Sequence, residues 1–447
     1  LGRVSLAGGN GDYDAWAQPQ HNPQEASAAK YGITFPAGPE AECNMPDEDG
    51  VINLVTVNST DANVTGYTLK DLKVNGEAIK GEIVGNNIQV DANELEKILC
   101  TQNKSRASVA RDINVESKVS VNLASGDAVA INTVGTTMAK LTPTPTPAID
   151  EQGYYMLGEV NGNGWDNTNP EWMTKVSDGV YQLKVTTEKD KNWFKFYEGS
   201  KFVSGDWDAI NSGALGCKEN GCEDASGYIY FTGDKWGELQ TIVIPGAGTW
   251  IVTLDMNNLS YSVGKPILYM AGDANGWKQI DVLNSDDGVH FTGYMYLNQK
   301  GFKFSTQPNW DGTNYGADFD TAPNAGNIMI TEEAGFYQVD VNLSEKTYTL
   351  TPFTIGIIGN ATPKGWGGDT DMTYNPKERC WELKNVELTD GEMKFRHTND
   401  WSLNWGGPLD ALVHDGANIA INEAGTYDIK LYVDWEGNTA KCEMTKK

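Results

Sequence analysis

Short runs of alternating apolar and polar residues recur along most of the chain, broken by turns rich in Gly, Asn and Asp, and this period of two predicts β-strands. In the N-terminal part, Val51–Val57, Tyr67–Val74, Ile113–Leu123 and Ala128–Val134 predict the strands of a small sandwich over residues 31–141. Ala92–Leu99 departs from the pattern and reads as a short helix, with Asp91 as N-cap and Glu94 closing a capping box. Residues 1–30 are polar around Trp16 and predict a loosely ordered lead. The alternating prolines of Thr142–Pro147 predict an extended spacer. It lies in a linker over 142–149 that is expected to hold the C-terminal two-thirds of the chain away from the N-terminal domain.

Beyond the linker the pattern repeats three times, at 150–264, 265–352 and 353–447. Each copy opens on a β-run ending in Gly-Trp: Tyr154–Trp165, Ile267–Trp277 and Ile355–Trp366. Each then carries an apolar–Lys–apolar segment within Phe194–Asp208, Phe302–Gly316 or Met393–Gly407. A closing Ala-Gly-x-aromatic turn comes next, at Ala247–Trp250, Ala334–Tyr337 and Ala424–Tyr427, and then a final alternating strand. Repeats this long are domains rather than solenoid units. Short strands at this spacing indicate antiparallel sandwiches, so the predicted fold class is all-β, with four tandem β-sandwich domains.

Composition sharpens this picture. The 447 residues include 49 Gly and 14 Trp, more tryptophan than a few cores require, and the net charge is −27. Such acidity repels phosphate backbones, which excludes nucleic acid as a partner. Six cysteines match no zinc or iron–sulfur spacing. Cys217 and Cys222 flank a Gly-rich loop where a small disulfide is expected, and Cys43/Cys100 and Cys380/Cys442 each fall within one domain, a pattern that fits an oxidising compartment. No apolar run reaches the length of a membrane span. The chain begins at Leu1 without Met or a signal peptide and reads as a mature or truncated form.

Strand side chains alternate faces, so with Phe or Met in a core, Lys195, Lys303 and Lys394 point to an open face. Aromatics lie downstream in polar, Gly-rich settings: Trp207 in the first copy, Trp310 and Tyr315 in the second, Trp401 and Trp405 in the third. In the first copy Trp193, Lys195 and Tyr197 are expected to share the open face. Saccharides present apolar C–H faces and hydroxyl rims, so a flat ring beside a few convergent polar groups is what a carbohydrate platform needs. Arg396 is a further donor, and Asn314 and Asn404 either donate to ligand or hold the turn. Trp165, Trp277 and Trp366 either join the platform or plug the sandwich end, and Trp250, Tyr337 and Tyr427 read as core. Two angled rings suit a curved α-1,4-glucan.

No pair of carboxylates recurs with the aromatics as a glycosidase would require. His21, His290, His397 and His414 give neither metal spacing nor a triad, and Gly8–Asp14 resembles a calcium loop only once. The expectation is a binding protein, not an enzyme, with no cofactor and no metal. Exposed aromatics also suit protein adhesion, which remains the competing class.

The Gly-Trp openings, the Met393–Gly407 segment and the closing Ala-Gly-Thr-Tyr resemble the SusE and SusF family of outer-membrane starch-binding lipoproteins of gut Bacteroidetes. The resemblance covers residues 150–447 by motif and the N-terminal part by position. It implies an immunoglobulin-like N-terminal domain followed by three carbohydrate-binding modules. The implied ligand is starch or maltooligosaccharides, or another polysaccharide. It also implies display on the cell outer membrane through an N-terminal lipid anchor absent from this sequence, and association with a TonB-dependent, porin-like importer and a SusD-like protein.

Overall fold

A computed structural model of the chain describes residues 24–447. The lead before Gln24, with Trp16 and the Gly8–Asp14 loop, lies outside the described residues. The architecture is all-β, a row of sandwiches with one principal helix.

In the N-terminal domain the long strand Arg111–Leu123 is the spine, pairing with Val64–Val74, Ala128–Ile131 and Gly135–Thr142. Its alternation puts Ile113, Val115, Val119 and Val121 in one core, with Ser120 on the other face buried as well. Val51–Thr56, Gly81–Val84 and Asn87–Asp91 form a smaller sheet. The expected lead ends earlier than predicted, because Glu25–Ala26 pairs parallel with the Ala130–Ile131 stretch and Ala28 is buried. The helix runs longer than the apolar pattern showed, Ala92–Asn103. Asp91 caps it by accepting the Glu94 N–H at 2.9 Å, while the reciprocal half of the capping box does not form among the described residues.

The first module packs a six-stranded sheet holding Tyr154–Gly158 and Lys191–Glu198 against a five-stranded sheet holding Val180–Thr187 and Gly248–Asp255. The second and third modules each curl a continuous sheet, of seven and ten strands. In every copy the Lys segment pairs antiparallel with the opening strand: Leu157 with Lys195, Ala271 with Lys303, Ile358 with Lys394. Phe194 and Phe196, Phe302 and Phe304, and Met393 and Phe395 are all core residues, as alternation requires.

The linker does not hold the first module away. The Thr144 N–H donates to Glu96 of the helix at 2.6 Å, and the Ser108 hydroxyl donates to the Pro143 carbonyl. Proline stiffness sets local extension but does not stop the flanking domains from meeting. They meet around Arg106, which forks onto both oxygens of Asp234 at 2.7 and 3.0 Å and lies 3.7 Å from the Trp236 ring centroid. The Trp236 indole and Lys235 ammonium both reach Glu96. Burial pushes the Glu96 carboxyl up, but the Thr144 N–H, the indole and Lys235 outweigh it and hold it below its usual range. That contribution is present above the unfolded carboxylate range and is lost as pH falls through the depressed value.

The second and third modules are fused differently, by aromatic rings. Tyr294 stacks on Trp435 at 4.8 Å, and Phe336 meets Trp381 at 4.8 Å and Tyr374 at 4.6 Å. Phe336 belongs to the core of the third module although it lies in the second.

Arg106→Ala leaves the Asp234 carboxylate buried without its partner, and breaking such pairs costs about 3–5 kcal/mol. Denaturant unfolding of the intact protein is expected to show that loss together with faster proteolysis at the linker, and Arg106→Met a smaller one.

Candidate functional site

The third module holds the most developed surface. Trp366 and Trp401 are about half exposed, with ring centroids 6.4 Å apart and planes tilted by 34°. Trp366 follows Gly365, whose φ of +62° needs no Cβ, and this turn swings the ring outward. Trp165 and Trp277 take φ of +63° and +61° themselves, an uncommon conformation for a bulky residue, so in those copies the turn bends at the ring-bearing residue.

Behind Trp401 lie the two cations of the Lys segment. Arg396 sits 4.6 Å from the ring centroid and Lys394 5.9 Å. Both are largely buried, and each has a partner. Arg396 forks onto Asp369 at 2.7 and 2.8 Å, and the Asn399 N–H donates to the same carboxylate. Burial pushes the Asp369 carboxyl up, yet Arg396 and the Asn399 N–H prevail and keep it below its ordinary value. Lys394 donates to the Asn404 side-chain oxygen; burial lowers its pKa. The Asn404 amide donates to the Trp401 carbonyl at 3.0 Å and to Asp415 at 2.8 Å. Asn404 therefore holds the Trp401 turn rather than reaching outward. Asn314 does the same in the second module, donating to the Trp310 carbonyl at 2.9 Å.

Trp405 corrects the predicted platform. It is fully buried in the core, and its indole N–H donates to Asn438. The reason is register: Trp405 pairs with core-facing Phe395, whereas Asn404 pairs with Arg396 on the opposite face. Tyr315 repeats the pattern opposite Phe304 and packs against the second core, half-buried. Trp310 is the exposed ring of that module, with Trp277 and Lys303 half-buried.

The first module differs. Trp165, Trp193 and Lys195 are half-buried, and Trp193 lies against the Gly221 turn. Burial lowers the Lys195 pKa. Trp207 is exposed at the start of a short helix, Trp207–Asn211, capped by Asp206. Tyr197, expected on the open face, is buried in a stack with Tyr155 at 5.3 Å, because Ile210 and Ala214 cover that face. Trp172, to which the sequence motifs do not point, is exposed and meets Tyr155 edge-on at 5.0 Å. It lies between the recurring segments, so repeat comparison carries no signal for it; its register opposite Tyr155 shows it. The expected Cys217–Cys222 disulfide is not formed. Both thiols donate to the Glu219 carbonyl, at 3.0 and 2.9 Å, and all six cysteines are free. The turn aims both sulfurs at one acceptor, and burial pushes the Cys217 thiol up to about 12, which disfavours the thiolate. Among the described residues no cluster of His, Cys, Asp and Glu could hold a metal.

Two family models match the chain: "Outer membrane protein SusF, N-terminal domain" over residues 9–143 and "SusF, first starch specific CBM" over 148–265. The chain belongs to the SusF family. One SusF relative, "Outer membrane protein SusF" of Bacteroides thetaiotaomicron, is 26% identical over 403 residues, 82% of this chain and 79% of that protein. The crystal structure of SusF from the same organism aligns with 92% of this chain and all of its own, at 20% identity and a TM-score of 0.46. Membership in the SusF family places the chain at the outer membrane.

Trp401→Ala and Trp405→Ala separate surface from core. Removing the buried indole is expected to cost about 3–5 kcal/mol. Removing the exposed one should cost under about 1 kcal/mol, the scale of an exposed cation–π contact. Thermal unfolding of the intact protein reads both. Acidification through the depressed Asp369 value should release Arg396 from its partner and abolish the stability difference that Asp369→Asn causes at neutral pH.

Proposed function

We propose that this protein binds starch, as α-1,4-glucan or maltooligosaccharides, at the cell surface without catalysing its cleavage. The observation that carries the reading is the exposed Trp366–Trp401 pair, tilted by 34° and backed by Arg396 and Lys394. A bent aromatic surface stacks on successive rings of a curved glucan more fully than a flat one. Trp310 with Trp277 and Lys303, and Trp165, Trp193, Lys195 and Trp207 with Trp172, give lesser platforms in the other modules. The starch-specific module family matched by residues 148–265 supports the ligand class. The cations stiffen the platform from behind, and any hydrogen bonds to vicinal hydroxyls come from groups at its rim.

Three weak modules on one chain raise retention on a polymer through effective concentration, with no added contact. The protein is tethered by a lipid and serves a TonB-dependent importer with a SusD-like partner, holding polysaccharide for neighbouring hydrolases.

Native gels cast with amylopectin, pullulan, dextran, levan or xylan test this reading. Retardation by amylopectin and pullulan alone is expected. Trp366→Ala combined with Trp401→Ala should weaken third-module binding more than tenfold, since central anchors of this kind carry about 2 kcal/mol or more. Retardation by another polymer replaces the ligand and keeps the platform, and none at all points to protein partners.

A further inference from the structure

The first and second modules are joined by Gly264, Lys265 and Pro266, and beside that joint lies a cleft of about 330 Å³ walled by both modules. Its volume is near the lower end of the roughly 300–1,000 Å³ of small-molecule sites, which gather at domain interfaces. We infer that this cleft is a separate saccharide site that takes a neutral unit of one or two sugar rings; the inference rests on the proposed glucan reading.

Three features carry it. Across the cleft Gln182 and Gln307 exchange amide hydrogen bonds, Gln307 Nε2 to Gln182 Oε1 at 2.6 Å and the reverse at 3.5 Å. Such a pair presents both donors and acceptors, as a hydroxyl-bearing ring requires, and carries no charge. The apolar side is supplied by Phe291 and by Tyr315, the residue that register removes from the outer platform. Burial raises the Tyr315 pKa, so its phenol stays a neutral donor and acceptor. Finally, among the described residues no carboxylate lines the cleft, in a chain of net charge −27. Lys184, along the Gly288 turn, and Lys265, over the Trp250 ring at 3.9 Å, also line the cleft and add donors for hydroxyl oxygens beside the amides.

Binding here is distinct from the outer surfaces, because the occupant must enter between two modules. A sugar unit that satisfies the Gln182 and Gln307 amides replaces their mutual bonds, so occupancy sets the angle at the joint.

Hydrogen exchange of the intact protein with maltose, followed by mass spectrometry, resolves the two kinds of site. Slowed exchange is expected in the joint, residues 262–268, and in the turn 287–291, as well as around Trp401. Gln182→Trp, which fills the cleft, should remove the slowing at the joint and leave it at Trp401; Gln307→Ala does the same by removing the amide should the bulky variant fail to fold. Slowing at Trp401 alone overturns the cleft and spares the glucan reading, and slowing at neither overturns both. Slowing at the joint by glucuronate but not by maltose replaces the neutral ligand with an anionic one and also overturns the proposal.

Discussion

The strand Gly391–His397 must satisfy two opposite demands with one backbone. Met393 and Phe395 are driven into the core, and the same pleat forces Lys394 and Arg396 to the other side. Cations that close to a core are costly unless they are paired and hydrogen-bonded. Asp369 and Asn404 meet that requirement, and both do so from elements that also carry a ring: Asp369 from the strand beginning at Gly365 and Trp366, Asn404 from the turn after Trp401. Satisfying the cations thus places the tryptophans.

Substitution of this arrangement explains why the copies differ. In the first module Tyr155 pairs with Tyr197 at the positions where the third has Gly356 and Arg396. An ion pair is replaced by a ring stack, which needs cover rather than partners, and the short helix Trp207–Asn211 and the strand Ala214–Gly216 supply it through Ile210 and Ala214. The aromatic surface shifts accordingly toward Trp172. The second module keeps the amide that holds its turn but has Ser305 where the third has Arg396, and Asn314 accepts from that serine at 2.7 Å.

Strand order in the chain was readable because alternation and Gly-rich turns are local signals. The three copies, the Lys segments and their inward-facing Phe and Met neighbours come from period two alone. The same rule, applied one residue further, separates Asn404 from Trp405: adjacent strand residues cannot share a face, so both could not belong to the platform. Tyr197 and Trp172 were beyond such reasoning: Ile210 and Ala214, which cover Tyr197, lie outside the recurring segments, and the strand that sets Trp172 opposite Tyr155 carries Val282 and Asp371 at the same place in the other copies, so no repeated ring marks it. The Arg106–Asp234 contact was equally hidden, its partners lying 128 positions apart in the chain.

The rings that bind the second module to the third also change what counts as a unit of this protein. Phe336, Tyr294 and Tyr296 seal the core of the third module from outside its own stretch of chain. A fragment cut before Phe353 would bare Trp381 and Trp435 to water, and a transplanted third module would take its stickiness with it. Inheritance and engineering alike must therefore move these two sandwiches as a pair, with one fixed angle between their surfaces, and leave any change of reach to the joint at Gly264.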